Sequence, residues 1–290
     1  MQKFDEFFKY LESFGIEFSL RQKNLESWSQ SLNSLGYIPV EYTSSWIDYN
    51  LLYLSEDSEI LDLSILIYSG GKICGLWPLI GRSRDDVLSI SGPAQEILPP
   101  IFFESTSRKL KKRIYKGLLK TLSAFNENTS KKYFVIQHRS LESNPSLIFS
   151  DWYKQAMDLE ATADIRHDLY LDLSKTDEEI KSNFRKSYKP LINKGLQEWE
   201  CKIISSNNPD KTYWEDFRKF HHSVAGRVTR SINTWNKQFE MITAGEAFLV
   251  LLFDKDNEDL VGGSFFQVNK FEGFYAVAAY DRNLFDKPLG

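Results

Sequence analysis

The sequence predicts an α+β fold in which two similar domains follow one another, each a mixed, mostly antiparallel sheet with flanking helices. Three short runs of aromatic and β-branched residues, at 247–253, 260–268 and 274–279, are typical of strands. Two patterns with helical spacing come just before them. A comparable order of strands and helices occurs in the first half of the chain.

The three C-terminal runs predict an antiparallel meander, because a polar turn at residues 254–259 separates the first two. The helices before them are predicted at residues 209–224 and 233–244. Asn208 is the expected N-cap of the first, with Pro209 in its first turn, and Gly245 is expected to end the second.

The first half follows the same plan. Strands are predicted at residues 60–68, 72–79 and 87–91, an amphipathic helix at 109–125 and a further strand at 133–137. Gly75 and Gly263 are separated by the same number of residues as Pro100 and Pro288, which suggests a duplicated chain. We therefore expect one domain at residues 1–160 and a second at 161–290. The second has no counterpart of the later helix and strand, so we expect it to be incomplete and this chain to have weak or no activity alone.

Composition narrows the class of protein. With 290 residues, of which 42% are hydrophobic, the chain is long enough for two cores and is globular. A net charge of −4 argues against a general nucleic-acid binder, DNA-binding proteins included. No apolar run approaches the roughly 20 residues that span a bilayer, and the N-terminus does not resemble a signal peptide. These features predict a cytoplasmic protein.

Neither cysteine nor histidine spacing predicts a metal site. Cys74 and Cys201 are far apart and lie in predicted strands, so we expect buried free thiols rather than a disulfide or zinc ligands. His221 and His222 are neighbours, and their side chains would point in different directions on a helix.

Two basic segments could each contact phosphates or be an ordinary solvated surface. Residues 108–113, with Lys116 and Lys120, make one helix face cationic; it could contact an anionic surface or tRNA, but a solvated face is the commoner case. Residues 185–195 follow a predicted strand at 168–173 and a helix capped by Ser174. We expect Pro190 to break a helix there, Gly195 to end the next one, and a strand to follow at 200–205.

The connection between the two C-terminal helices, residues 221–235, is the best candidate for a pocket rim. Arginine suits a carboxylate or phosphate because its planar group donates two parallel hydrogen bonds, and nearby hydroxyls can complete an anion site. An exposed loop before a capped helix is an equally good interpretation. The candidate substrate-binding residues are Arg227, Thr229, Arg230, Ser231, Trp235, Gln238 and Tyr280.

Three segments together resemble a known family. They are Leu171-Asp172-Leu173-Ser174, the basic segment 185–195 and the hairpin end at residues 278–288. In order and pattern the chain resembles the Fem-type peptidyltransferases, which are tandem copies of the GNAT (Gcn5-related N-acetyltransferase) fold, and the Fem-like acetyltransferases encoded with bacterial surface-glycan genes. The likeness covers most of the chain and is clearest from His167 onward.

The resemblance implies a mechanism. Backbone amides of a splayed strand would polarise an acyl carbonyl, and the following loop would hold the phosphates of the donor. On this sequence the strand is 274–279, and the implied donor-binding residues are Ala278, Ala279, Lys287, Leu289 and Gly290. The general base is left open among Asp281, His221 and His222. The first half has Pro99 and Pro100 at the matching place, poor in amide donors, which implies a non-catalytic first domain.

Three functions remain in competition. The first is an N-acyltransferase that moves an acyl group, with acetyl-CoA as the expected donor and no metal, to an amine on a cell-envelope sugar or peptide precursor. The second uses aminoacyl-tRNA as the donor; residues 250–290 contain no helical arm of the kind that tRNA-dependent relatives often carry. The third is a non-enzymatic module that binds a glycan or peptide.

Overall fold

The computed structural model describes residues 2–85, 87–93, 95–127, 129, 135–136, 150–164 and 169–288. The chain divides into two compact units, Met1–Thr162 and Ala163–Gly290. The first unit has two β-sheets and the second has one, and each unit has its own helices.

The described part of the first unit has five α-helices and seven strands. The helices are α1 (Asp5–Ser13), α2 (Leu25–Asn33), α3 (Ser44–Leu54), α4 (Arg108–Glu127) and α5 (Asp151–Met157). The strands are β1 (Glu17–Leu20), β2 (Glu59–Asp62), β3 (Ile65–Ser69), β4 (Lys72–Trp77), β5 (Ile80–Arg84), β6 (Val87–Ser91) and β7 (Ile101–Phe102). They form a four-stranded sheet in the order β1-β3-β4-β7 and a three-stranded sheet in the order β2-β5-β6.

The four-stranded sheet has a hydrophobic core on each face. Alternate residues of a strand point to opposite faces, so β3 contributes to both. Its Ile65 and Ile67 belong to the core that includes residues of α1, α4 and α5. Leu66 belongs to a second core with Trp28 of α2 and Ile47 of α3. Helices on both faces explain why β3 is hydrophobic at consecutive positions.

The predicted strand at 60–68 is two strands. Asp62 accepts the backbone N–H of Ser64, and the Ser64 hydroxyl contacts the backbone of Leu79, so the chain leaves one sheet at this point and enters the other. The predicted strand at 72–79 corresponds to β4, whereas β5, at residues 80–84, was not predicted. The predicted strand at 133–137 lies largely outside the described residues; within it, Ile136 forms a parallel bridge with Ile97.

The second unit contains four helices and four strands among its described residues. The helices are α6 (Asp177–Asn183), α7 (Tyr188–Glu198), α8 (Lys211–Ala225) and α9 (Ile232–Thr243). The strands are β8 (Trp199–Ile204), β9 (Ala247–Asp254), β10 (Leu260–Val268) and β11 (Gly273–Tyr280). All pairings are antiparallel and the order is β11-β10-β9-β8. The predicted meander and α+β fold are confirmed.

One face of this sheet packs against α8 and α9. Trp214 and Phe217 of α8 and Trp235 of α9 are fully buried, and the ring centroids of Trp214 and Trp235 lie 5.5 Å apart. Phe265 of β10 completes the layer, with its ring 5.7 Å from that of Trp214. Gly263 lies beneath α8, where a Cβ would come within 2.7 Å of Phe217.

Several local predictions in this unit were wrong. Helix α8 is capped by Asp210, which accepts the N–H groups of Thr212 and Tyr213. Asn208 instead accepts the N–H of Ser205 in the preceding turn. Asp210 is the N-cap because its side chain accepts two N–H groups of the first helical turn that have no partner within the helix.

The segment before α7 also differs from its prediction. Residues 169–173 have no regular structure, and α6 is capped by Thr176 rather than Ser174, with Glu179 completing a capping box. Pro190 lies in the first turn of α7, where a missing N–H costs nothing, so it does not break the helix. Gly195 lies inside α7, where a Cβ would stand 3.1 Å from the carbonyl oxygen of Pro288.

The two cysteines differ. Cys74 is buried as predicted. Cys201 is exposed, because its side chain lies on the face of β8 that α8 and α9 do not cover.

Candidate functional site

The connection between α8 and α9 is a short loop fixed at both ends. Gly226 ends α8 with a φ of 68°, a left-handed conformation that glycine adopts without strain. Ser231 begins α9 by accepting the backbone N–H of Thr234. Residues 227–230 therefore form a loop that lies next to the last turn of α8 and the first turn of α9.

Four side chains from these elements surround the buried indole of Trp235. The ring centroids of His221 and His222 lie 5.2 and 5.6 Å from that of Trp235. The guanidinium carbon of Arg230 lies 4.6 Å from the same ring centroid. Gln238, one turn further along α9 and 1% exposed, accepts a hydrogen bond from Arg230 Nη1 at 3.1 Å. We call these five residues the Trp235 cluster.

Two hydroxyl groups, those of Thr229 and Ser231, lie at the edge of this cluster. Thr229 Oγ1 lies 3.4 Å from His221 Nδ1, where the tautomer decides which atom donates. Ser231 Oγ contacts the buried hydroxyl of Thr234 at 2.9 Å as well as capping α9. Thr229 thus contacts the cluster directly, whereas Ser231 fixes the start of the helix that carries Trp235 and Gln238.

The cluster disfavours positive charge on its histidines. Burial, followed by the charges of Arg230 and His222, lowers the pKa of His221 to about 4. Burial and the nearby Arg218 and Arg230 also lower the pKa of His222. Both imidazoles are therefore neutral at pH 7, and the charge of the cluster belongs to Arg230.

The other predicted residues lie elsewhere in the second unit. Arg227 is exposed and contributes no contact to the cluster that the structure describes. Tyr280 lies over Gly262, whereas the neighbouring Gly263 faces α8, so Tyr280 is on the face of the sheet opposite to the cluster. Its hydroxyl lies 2.6 Å from Ser264 Oγ, and burial raises its pKa to about 12.

The residues after β11 make local contacts. Asp281 accepts the N–H of Asn283 and so begins a short 3-10 helix. The ammonium of Lys287 lies 5.2 Å from the ring centroid of Trp199, whose Nε1 donates to the carbonyl oxygen of Pro288. Leu289 and Gly290, two of the implied donor-binding residues, lie outside the described residues.

Strand β11 has a feature that sequence reasoning missed. Phe265 of β10 pairs with Val277, but the next residue, Phe266, pairs with Tyr275, so Ala276 is an extra residue and forms a β-bulge. Among the described strands, β11 is also at the edge of its sheet. Ala278 and Ala279 follow the bulge, half-buried and buried respectively. The small side chains at 276, 278 and 279 were the only sequence signal, and they do not specify a bulge.

The matching place in the first unit is filled differently. Strand β7 has only two residues, and Phe102 pairs with Gly75 just as Ala279 pairs with Gly263. A Cβ on Gly75 would lie 2.6 Å from the Phe102 ring, which also contacts the ring of Tyr115 at 5.3 Å. Bulky aromatic side chains therefore occupy the position at which β11 carries alanines.

The cationic helix α4 uses much of its charge within the first unit. Arg108 and Lys112 both pair with Asp151, and Arg108 holds the pKa of that carboxyl below its usual value. The ammonium of Lys111 lies over Phe102 and that of Lys120 over Phe14. The described residues include no group of three potential metal ligands. No helix within the described ranges is long and apolar enough to cross a bilayer.

These features can be compared with known proteins. No protein-family model and no curated protein match the sequence significantly. A solved structure of FemX aligns with 86% of this chain and 81% of its own, with a TM-score of 0.52 at 10% sequence identity. The chain has a Fem-like fold. The prediction of a Fem-like fold is confirmed.

A second similar structure is that of a tandem GNAT protein from the clavulanic acid biosynthesis pathway, solved without AcCoA. It aligns with 92% of this chain and 80% of its own, with a TM-score of 0.44 at 13% identity. At such identities only the Fem-like fold is established. The chemistry of the site has to come from the residues of this chain.

Proposed function

We propose that the Fem-like chain belongs to an N-acyltransferase that moves an acetyl group from acetyl-CoA to an amine on a cell-envelope sugar or peptide precursor in the cytoplasm. The observation that carries this proposal is the bulged edge strand β11, which packs against α8, the helix that carries His221 and His222. In this proposal the edge strand binds the acyl donor, and the polar cluster on the helices that pack against the sheet binds the acceptor.

The donor half is the backbone of β11. In an antiparallel edge strand only alternate residues bond to the neighbouring strand, so the remaining N–H groups point away from it. The bulge at Ala276 changes the direction of the strand just before Ala278 and Ala279. The Asp281 N–H bonds to the Val261 carbonyl of β10, so by alternation the Ala279 N–H also faces β10 and the Ala278 N–H points away. We assign the Ala278 amide to the thioester carbonyl, where a hydrogen bond stabilises the negative charge that develops on oxygen.

The acceptor half is the Trp235 cluster, with Thr229 at its edge. The acceptor nitrogen attacks the thioester carbon, an amide bond forms, and the C–S bond breaks with release of the CoA thiolate. A base whose pKa is about 4 takes up few protons at neutral pH, so His221 accepts a hydrogen bond from the amine rather than removing its proton. The proton passes to solvent and the thiolate.

Charge on α4 favours acyl-CoA over aminoacyl-tRNA as the donor. Four cations of this helix already contact Asp151, Phe102 or Phe14. A tRNA-binding face needs many lysines and arginines aimed at phosphates, and its affinity falls steeply as salt rises. The first unit, with Phe102 where β11 has alanine, has a supporting role in this proposal.

Calorimetry tests the donor. The full-length protein is titrated with acetyl-CoA, with aminoacyl-tRNA at two salt concentrations as the comparison. Saturable binding of acetyl-CoA supports the proposal. Absence of heat at millimolar acetyl-CoA, or tight salt-dependent binding of aminoacyl-tRNA instead, contradicts it.

A further inference from the structure

The Trp235 cluster contains buried polar atoms that the protein does not satisfy. Trp235 is fully buried, and its Nε1 has no hydrogen-bond partner among the described residues. The same holds for the buried Nε2 of His222, whose ring packs against that indole. Each unsatisfied buried group costs about 1–3 kcal/mol, so two of them side by side need a reason.

Arg230 supplies fixed positive charge at the same place. Its guanidinium lies over the Trp235 ring and donates to Gln238, whose side chain is buried. Stacking and this hydrogen bond hold the planar group in one orientation, so little conformational entropy is lost when it meets a ligand. A cation held in this way differs from a flexible surface arginine such as Arg227, which is exposed.

Two arginines make the local potential at the histidines positive. Burial is the main cause of the lowered pKa of both histidines, Arg230 lowers the pKa of both further, and Arg218 adds to the effect on His222. A neutral imidazole can donate through Nε2 when its proton is on that nitrogen, and an indole N–H is always a donor. Positive potential together with uncommitted donors suits an anion and does not suit a cationic or apolar group.

We propose that the Trp235 cluster is a subsite for an anionic group, a carboxylate or a phosphate, carried by the acceptor amine. Arg230 supplies the charge, and Trp235 Nε1 and His222 Nε2 supply the hydrogen bonds. That the anion belongs to the acceptor rests on the proposed function, whereas the anion subsite itself rests on the cluster alone. The acceptor is thus an amino acid or a phosphorylated amino sugar, and not an amine without an anionic group.

Paired probes test this without any acyl donor. The full-length protein is titrated by calorimetry with glucosamine 6-phosphate against glucosamine, and with glycine against glycinamide. In one pair we expect the member with the phosphate or carboxylate to bind at least about tenfold more tightly than the member without it, as one charge-assisted hydrogen bond supplies. The pair that shows the preference identifies phosphate or carboxylate as the group. Equal binding within both pairs, or no binding of any probe, overturns the proposal.

Variants locate the preference. Arg230→Gln should abolish it, and Lys219→Gln, which removes an exposed charge of α8, should retain it. A preference that survives in Arg230→Gln overturns the assignment. If Arg230→Gln does not fold, histidine NMR of the unaltered protein decides: the bound anion should raise the pKa of His221, and an unchanged pKa at saturation overturns the proposal.

Failure of this inference and failure of the proposed function are separable. An anion preference without acetyl-CoA binding supports the anion subsite and contradicts the proposed acyltransferase function. Binding of acetyl-CoA without an anion preference does the reverse.

Discussion

The ring of Tyr280 lies over Gly262 so closely that a Cβ at position 262 would stand 2.5 Å from Tyr280 Cδ1. Ser264, two residues further along β10 on the same face, holds the Tyr280 hydroxyl. The glycine and the serine together fix the end of β11, the strand on which the proposed donor site depends.

Gly262→Ala should therefore destabilise the second unit. The added methyl group must displace an aromatic ring that is hydrogen-bonded at its far end, and overpacking of this kind costs about 1–3 kcal/mol. Gly273→Ala is the matched control, because its Cβ would lie 3.4 Å from the nearest atom, an ordinary contact. Urea denaturation measures both. Equal midpoints for the two variants would contradict the packing described for Tyr280.

A buried ion pair makes a second prediction, in the first unit. Arg21 is 2% exposed, and its guanidinium contacts the buried Asp62 at 2.7 Å and Asp48 at 2.8 Å. Arg21→Leu leaves Asp62 as an uncompensated buried carboxylate, and breaking such pairs costs about 3–5 kcal/mol. Denaturation should show a large loss of stability in this unit.

The control for Arg21 is Arg84→Gln. Arg84 is exposed and pairs with the exposed Asp57, so its removal should leave the unfolding midpoint nearly unchanged. If both arginine variants behave alike, the pair with Asp62 does not contribute as its burial implies.

Stability should also depend on pH through His221. Its pKa is about 4 in the folded protein against 6.5 for an ordinary histidine, so between these values the unfolded chain binds the proton more readily. Stability is then full above pH 6.5 and falls as pH drops toward 4, with a slope of at most about 1.4 kcal/mol per pH unit. In His221→Gln this dependence should flatten. Denaturation curves across this range measure it, and an unaltered slope in the variant would refute the assignment.

The strands of the second unit were predictable because their apolar runs are short and bounded by polar turns. Residues 260–268 were predicted with the bounds that β10 has. The sequence placed Arg230, Trp235 and Gln238 on one connection and the helix that follows it, and Trp235 and Gln238, three residues apart, share one face of α9. Burial of Trp235 was the missing part, because exposure depends on the sheet beneath.

Other features depend on tertiary contacts that no local pattern records. Tyr275 and Tyr280 are an odd number of residues apart and should lie on opposite faces of a regular strand. The bulge at Ala276 brings them to one face, where Tyr275 contributes to the raised pKa of Tyr280. Alternation alone could not place Tyr280 away from the Trp235 cluster.

Release of CoA thiol tests the central claim most directly. The full-length protein is incubated with acetyl-CoA and with glycine, glucosamine 6-phosphate or a peptide with a free amine, and thiol and product mass are followed together. The account predicts thiol release that requires an amine, and a product heavier by one acetyl group. Absence of amine-dependent release with every acceptor at millimolar acetyl-CoA, or acyl transfer from aminoacyl-tRNA alone, would contradict it.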